Sequence, residues 1–335
     1  MNILSYILCF LWAFLISLFA IPSIRSMALK KRLLDEPNGR SMHEISTPRL
    51  GGMAIFAGLL SALTLFGTVT PSIQCMLSGA ILIFFIGLKD DILPVSPVKK
   101  FFIQVLATSI LLFIGNIRIT SFQGFLGIGV INEGISYFFS AIVIIGITNS
   151  INLIDGLDGL AGSVIVLISS CFGISFFISQ NSPLLGLSIC LIGGTIGFLR
   201  YNFEKANIFM GDSGSLVLGF IIAFLSINFL EMQIFNANIA LIIAFLYIPI
   251  LDTSRVFGLR ILSGTSPFVP DKNHLHHVLS NKGLNSIATK AVLILFNLSI
   301  VLFVASYQDL GNTLLVSIEI ILGLLVVVAL KFIEK

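Results

Sequence analysis

Apolar stretches, each long enough to cross a membrane, follow one another along almost the whole chain, and no other feature constrains the fold as strongly. A transmembrane helix needs about 20 predominantly apolar residues, somewhat fewer when tilted or packed inside a bundle. Eleven stretches qualify, at residues 3 to 23, 51 to 69, 73 to 88, 101 to 115, 135 to 151, 160 to 179, 184 to 199, 214 to 230, 236 to 251, 287 to 307 and 313 to 331. Only 10% of the residues are charged, against about 25% in a soluble domain. The sequence therefore predicts an all-α integral membrane protein, a polytopic bundle of about 11 transmembrane helices forming one domain over residues 1 to 335.

Placing the 19 Lys and Arg residues on the alternating loops leaves Arg118 alone on one side and every other one on the opposite side. By the positive-inside rule the populated side is cytoplasmic, which puts the N-terminus outside and the C-terminus inside. The first apolar run follows Met1-Asn2 without a positive leader and precedes Arg25, Lys30, Lys31 and Arg32, so it reads as a retained anchor. A net charge of +3 gives no footing for nucleic acid, and the four cysteines sit in apolar runs without metal-ligand spacing. The outer loops are short except residues 116 to 134, where Gly124, Gly127, Gly129 and Gly134 predict a hairpin or re-entrant turn.

Acidic residues gather at the cytoplasmic ends of the helices, and four blocks carry them. Asn149 to Gly162 reads NSINLIDGLDGLAG; if helical, it would project Asp155 and Asp158 from one face beside Asn149 and Asn152. Asp90 and Asp91 end the third apolar run, where adjacent carboxylates repel unless a cation or a proton is shared. The run RYNFEKANIFMGDSGS sets Asp212 among small residues before the eighth helix, either as an N-cap or as a ligand of Mg²⁺ that bridges phosphate oxygens. His274, His276 and His277 crowd behind Lys272 and favour contact with an anionic diphosphate over zinc. The first inner loop, DEPNGRSMHEISTPRLGG, brings Arg49 next to a Gly-Gly pair as a further substrate-contact candidate. Glu319, in the middle of the last helix, reads as a carboxyl packed within the bundle.

These blocks, in this order on this topology, resemble the polyprenyl-phosphate N-acetylhexosamine-1-phosphate transferases, from about Asp35 to Gly283. The resemblance implies transfer of a sugar-1-phosphate from a UDP-N-acetylhexosamine to undecaprenyl phosphate, with release of UMP, at the cytoplasmic face of a bacterial inner membrane. It implies Mg²⁺, with Mn²⁺ as a substitute, on Asp212 and Asp155, and catalytic roles for Asp90, Asp91 and Asp155. It further implies a nucleotide and metal site lined by Asn152, Asp155 and Asp158, uridine held by Asn202 and Phe209, and diphosphate met by His274, His276 and His277. The His-Leu-His-His order, and a first loop lacking the Lys of the peptidoglycan branch, are more similar to the branch that initiates O-antigen and other surface polysaccharides. A MurNAc-pentapeptide substrate, a transporter or flippase role, and a homodimer like those of the translocase branch stay open on this reading. So does the choice between direct attack and a covalent aspartyl intermediate.

Overall fold

The computed structural model describes residues 1–33, 47–264 and 273–334, and among them the chain is almost entirely helical. Loop residues Asp35 to Ser46 and Lys272 lie outside the described residues. The helices are α1 (Ile3–Lys31), α2 (Gly51–Phe66), α3 (Pro71–Ile92), α4 (Pro97–Ser109, extended by a wider turn over Ile110–Ile114), α5 (Glu133–Leu153), α6 (Leu160–Ile178) and α7 (Ser182–Asn202). They continue with α8 (Asp212–Met232), α9 (Asn238–Phe245), α10 (Tyr247–Leu262), α11 (Leu275–Asn281), α12 (Ser286–Ser306) and α13 (Gly311–Glu334). Every apolar stretch named above coincides with one of these helices or with the α9–α10 pair. Among the described residues nine are long and apolar enough to cross a membrane, a tenth span results if α9 and α10 count as one, and α2 is a shorter apolar helix of 16 residues.

Helix starts follow local chemistry. Thr70 and Asn285 accept the N–H groups of Ile73 and Ala288, and Pro71 and Pro97 occupy first-turn positions where a missing N–H is harmless. The chain groups into two compact units, one of Met1–Ile119 with Glu133–Phe229 and one of Thr120–Asn132 with Leu230–Lys335.

In the first unit α8 is buried along nearly its whole length, and Phe172, Phe176 and Phe229 interlock around it at ring separations of 5.8 to 6.5 Å. Without a hydrophobic drive between helices in lipid, close approach depends on small residues. Glycines supply them: a Cβ at Gly193 would strike the Phe10 carbonyl oxygen, one at Gly197 would lie 2.6 Å from that of Phe14, and one at Gly58 would lie 2.7 Å from that of Ala13. Thus α1 is pressed against α7 and α2.

In the second unit residues 120–132 form the expected hairpin, bridged at Ser121 and Val130 and pinned by Glu231, which accepts the Thr120 N–H at 2.8 Å and its hydroxyl at 2.6 Å. Between α9 and α10 the axis turns by 76°. Pro249 causes the break, since its ring clashes with the carbonyl four residues back and it has no N–H to give. Asn297 of α12 mends the ends, accepting from Ile248 N at 3.0 Å and donating to the Ala244 carbonyl at 2.9 Å. Glu319 is buried, 1% exposed, and its carboxylate has no hydrogen-bond partner among the described residues.

Candidate active site

The start of α8 is the point on which the acids of the first unit converge. A helix N-terminus exposes N–H groups that need acceptors. Here they come from α3: Asp91 accepts Asp212 N at 2.8 Å through Oδ1 and Ser213 N at 3.0 Å through Oδ2. With the cap supplied by Asp91, the Asp212 carboxylate is free for other work. Its Oδ2 meets the Lys100 ammonium at 2.8 Å and its Oδ1 accepts from Asn152 at 3.1 Å. Lys100 also reaches Asp90 Oδ2 at 3.1 Å, while Asp90 Oδ1 accepts Val95 N at 2.6 Å. One ammonium therefore joins carboxylates 122 positions apart in the chain, with Lys100, Asp90 and Asp212 25%, 18% and 22% exposed, open enough to meet a ligand.

Glycines make this convergence possible. A Cβ on Gly52 would overlap the backbone of Gly214, and one on Gly87 would lie 2.6 Å from Asp212 O and Ser213 N. Gly211 takes a left-handed φ of +74°, with Asp91 oxygens 2.6 Å from where its Cβ would stand. The Gly-Gly pair entering α2 is thus explained by packing. Just before it, Phe209 N donates to Pro48 O, Gly51 N to Phe209 O and Gly52 N to Met210 O, all at 2.8 Å, which holds Arg49 against the segment that leads into α8.

Asp155 and Asp158 lie in a turn between α5 and α6, not on a helical face as the i, i+3 reading supposed. Gly156 and Gly159 break the helix, Gly159 at φ +76°. Burial is the first cause that raises the Asp155 carboxyl well above the usual range, followed by the charges of Asp212, Asp91 and Asp158; Arg49 partly offsets them. Asp158 accepts Ala206 N at 2.9 Å. Asn202, 4% exposed, accepts Gly159 N and donates to Ile208 O, both at 2.9 Å, and so locks the two turns together. Phe209 is half-buried beside them. Asn149, grouped with the acids in the sequence, instead pairs with Gln104 of α4 through bonds of 2.8 and 3.3 Å.

Asn202→Ala should strand one buried N–H and one buried C=O, each costing roughly 1–3 kcal/mol. The expected result is a lower melting temperature in detergent, measured by tryptophan or dye fluorescence; an unchanged transition would remove the clamp assignment.

The histidines belong to the second unit. His274 and His276 stack at 5.8 Å, and His276 and His277 stand 4.3 Å apart. Burial, more than the neighbouring His277, pushes the His276 imidazole down to about 3, so it is neutral near pH 7; Asp252 opposes that shift in part. Two residues that sequence reasoning did not single out hold this group: Asp252 and Arg255, on one face of α10, 1% and 6% exposed. Lys100 was likewise read only as a loop charge. A single sequence could have flagged Asp252 and Arg255 by their i, i+3 spacing in an apolar helix, but Lys100 had no such signal.

The described residues form an all-α bundle with membrane-length helices, and in its first unit carboxylates and a lysine gather at helix ends. Comparison with known proteins gives the class, a transferase: the model for glycosyl transferase family 4 matches residues 73–230. Over 320 residues, 94% of this chain and 88% of that protein, the chain is 34% identical to the probable undecaprenyl-phosphate N-acetylglucosaminyl 1-phosphate transferase of Bacillus subtilis (strain 168). It is 31% identical to the decaprenyl-phosphate N-acetylglucosaminephosphotransferase of Mycobacterium tuberculosis (strain ATCC 25618 / H37Rv), over 82% of this chain and 75% of that protein. It is also 24% identical to the undecaprenyl-phosphate alpha-N-acetylglucosaminyl 1-phosphate transferase of Escherichia coli (strain K12), over 85% of this chain and 79% of that protein. The chain belongs to glycosyl transferase family 4.

Proposed function

We propose that this protein transfers N-acetylglucosamine 1-phosphate from UDP-N-acetylglucosamine to undecaprenyl phosphate. The observation that carries the reading is the Lys100 ammonium set between Asp90 and Asp212, in a chain collinear with relatives named for that transfer. An oxygen of the lipid phosphate forms a bond to the sugar-bearing phosphorus, the bond from that phosphorus to the UMP oxygen breaks, and UMP leaves with the electron pair. One diphosphate linkage is lost and one gained, so added UMP drives the reaction backwards.

Such a reaction needs charge neutralisation and alignment more than covalent help from protein. Lys100 faces the phosphate oxygens, and Asp90 or Asp91 positions the acceptor or takes its last proton. Both carboxylates are already engaged, Asp91 by the Asp212 and Ser213 N–H groups and Asp90 by Val95 N and the Lys100 ammonium. Arg49, Asn152, Asp158, Asn202 and Phe209 shape the nucleotide side, and of the histidine block His274 and His277 are the rings that meet a diphosphate, His276 being buried.

Mg²⁺ is part of the proposal, with Mn²⁺ as a substitute. Asp212, Asp155 and Asn152 offer hard oxygen donors in a place where Asp155 is crowded by like charge. Mg²⁺ is usually bound through one or two carboxylates plus substrate phosphates. Held by Asp212 and Asp155, the ion would supply Lewis-acid neutralisation of phosphate oxygens. The proposal also places the active face in the cytoplasm and the protein in a bacterial inner membrane, as one catalytic domain that starts a surface polysaccharide.

Purified protein with Mg²⁺ and undecaprenyl phosphate, offered a panel of UDP-sugars, should release UMP fastest from UDP-N-acetylglucosamine. Asp212→Asn should lower that rate at least ~100-fold, in line with removal of a preorganised charge contact. Folded protein that releases no UMP from any sugar would overturn the reading and return attention to transport.

A further inference from the structure

The hairpin of the second unit presents apolar side chains where a solvated turn would carry polar ones. Residues 119 to 132 include no charged side chain, and Leu126, Ile128 and Val130 are 65%, 44% and 85% exposed. Leu126 stands at φ +52°, a left-handed conformation that a turn in water normally gives to Gly, Asn or Asp. The backbone of the tip is nonetheless closed on the protein. Every N–H from Phe122 to Ile128 has an acceptor at 2.8 to 3.0 Å: Gln123 N donates to Ser121 Oγ, Leu126 N to Thr313 Oγ1 of α13, and the others to carbonyl oxygens of the hairpin itself. A turn in water can leave such groups to solvent, whereas hydrocarbon offers no partner to an unpaired one.

The hairpin is also fixed at the depth where a bilayer begins. Gln123 accepts Asn238 Nδ2 on its side-chain oxygen at 3.0 Å and Asn312 Nδ2 on its carbonyl oxygen at 3.3 Å, and Asn312 Oδ1 accepts Ile239 N at 3.0 Å. These bonds tie it to the first turns of α9 and α13, whose apolar lengths enter the membrane from that end. Beside Thr313, Leu310 and Leu314 are 46% and 49% exposed, so the bare surface at Leu126 continues into the apolar surface that α13 turns to lipid. We infer that the hairpin tip, through Leu126, Ile128 and Val130, is immersed in the acyl-chain edge of the bilayer leaflet on its own side, an anchor to lipid that belongs to no membrane-spanning helix. Apolar side chains at a membrane interface bind it in proportion to the apolar area they bury. A second copy of the chain fits less well. Three aliphatic side chains offer far less than the roughly 800 Å² per partner of a standard protein interface, and they include none of the aromatic or arginine anchors that such interfaces favour.

The test places a reporter on the exposed positions. The chain has one tryptophan, Trp12, so Val130→Trp in a Trp12→Phe background gives full-length protein with a single indole, at the hairpin. Reconstituted into phosphatidylcholine vesicles, this protein should lose emission when the acyl chains of the lipid are brominated, and lose little to acrylamide added to the water. Size exclusion checks that the variant is folded; if it is not, Ile128→Trp in the same background carries the measurement. Strong quenching by acrylamide with no loss in brominated lipid would overturn the proposal, because the hairpin would then stand in water. Shielding from both quenchers would overturn it as well, in favour of a protein cover such as a second copy. No substrate enters the measurement, so its outcome is independent of the transferase reading.

Discussion

Lys100→Ala should lower UMP release by about 100- to 1,000-fold, the range seen when one preorganised electrostatic donor is removed from an active site. The ammonium stands 3.1 Å from Asp90 and 2.8 Å from Asp212, and no other cation is described on either carboxylate. Without it the two acids face each other and the incoming phosphates meet uncompensated negative charge. The exposure of these groups, near one fifth to one quarter, tempers the effect on stability, because water screens part of the repulsion. The effect on turnover is not tempered in the same way, since bound substrate excludes that water. Lys100→Arg should not rescue fully, because a planar fork cannot place one compact charge between two carboxylates as an ammonium does. Steady-state rates with saturating Mg²⁺ would check this, and a rate for Lys100→Ala within tenfold of wild type would dismiss the role.

Gly52→Val should prevent recovery of folded protein. The added Cβ would overlap Gly214 N and Cα, and neither backbone atom can move without shifting the start of α8. Overpacking a close-packed interior costs typically about 1–3 kcal/mol where side chains can yield, and a backbone clash costs more. Because the displaced segment carries Asp212 and its cap from Asp91, any protein that does fold should also be inactive. Gly146→Ala is the control: nothing lies within 4 Å of its Cβ position, so it should fold normally. Fluorescence-detected size exclusion would separate the two, and a sharp wild-type-like peak for Gly52→Val would disprove the close-packing account.

The helices were legible because hydropathy acts locally, residue against lipid, and the hairpin at residues 120–132 was legible because glycines and a long outer loop are local too. The acids of the site were legible as a set for the same reason: each sits at the end of an apolar run. Their partners were not. Asp91 caps a helix that begins 121 positions later, and Lys100 looked like any cytoplasmic loop charge until the fold brought Asp90 and Asp212 to it. Asp155 and Asp158 were placed on a helix because their spacing allowed it, whereas Gly156 and Gly159 decide for a turn. Asn149 shares a block with Asn152, yet it pairs with Gln104 of α4 while Asn152 reaches Asp212 and Ser215 of α8.

The break between α9 and α10 has one further consequence. A proline alone would leave a joint, free to swing because the carbonyls it orphans could bond with whatever came near. Asn297 closes that freedom by taking the place of the missing turn, donating to one half-helix and accepting from the other. The direction of α10, and with it the aim of Asp252 and Arg255, is therefore specified by a single amide on a different helix. Heading and sequence have been uncoupled: a substitution at position 297 could re-aim the gripping face without altering any residue on it.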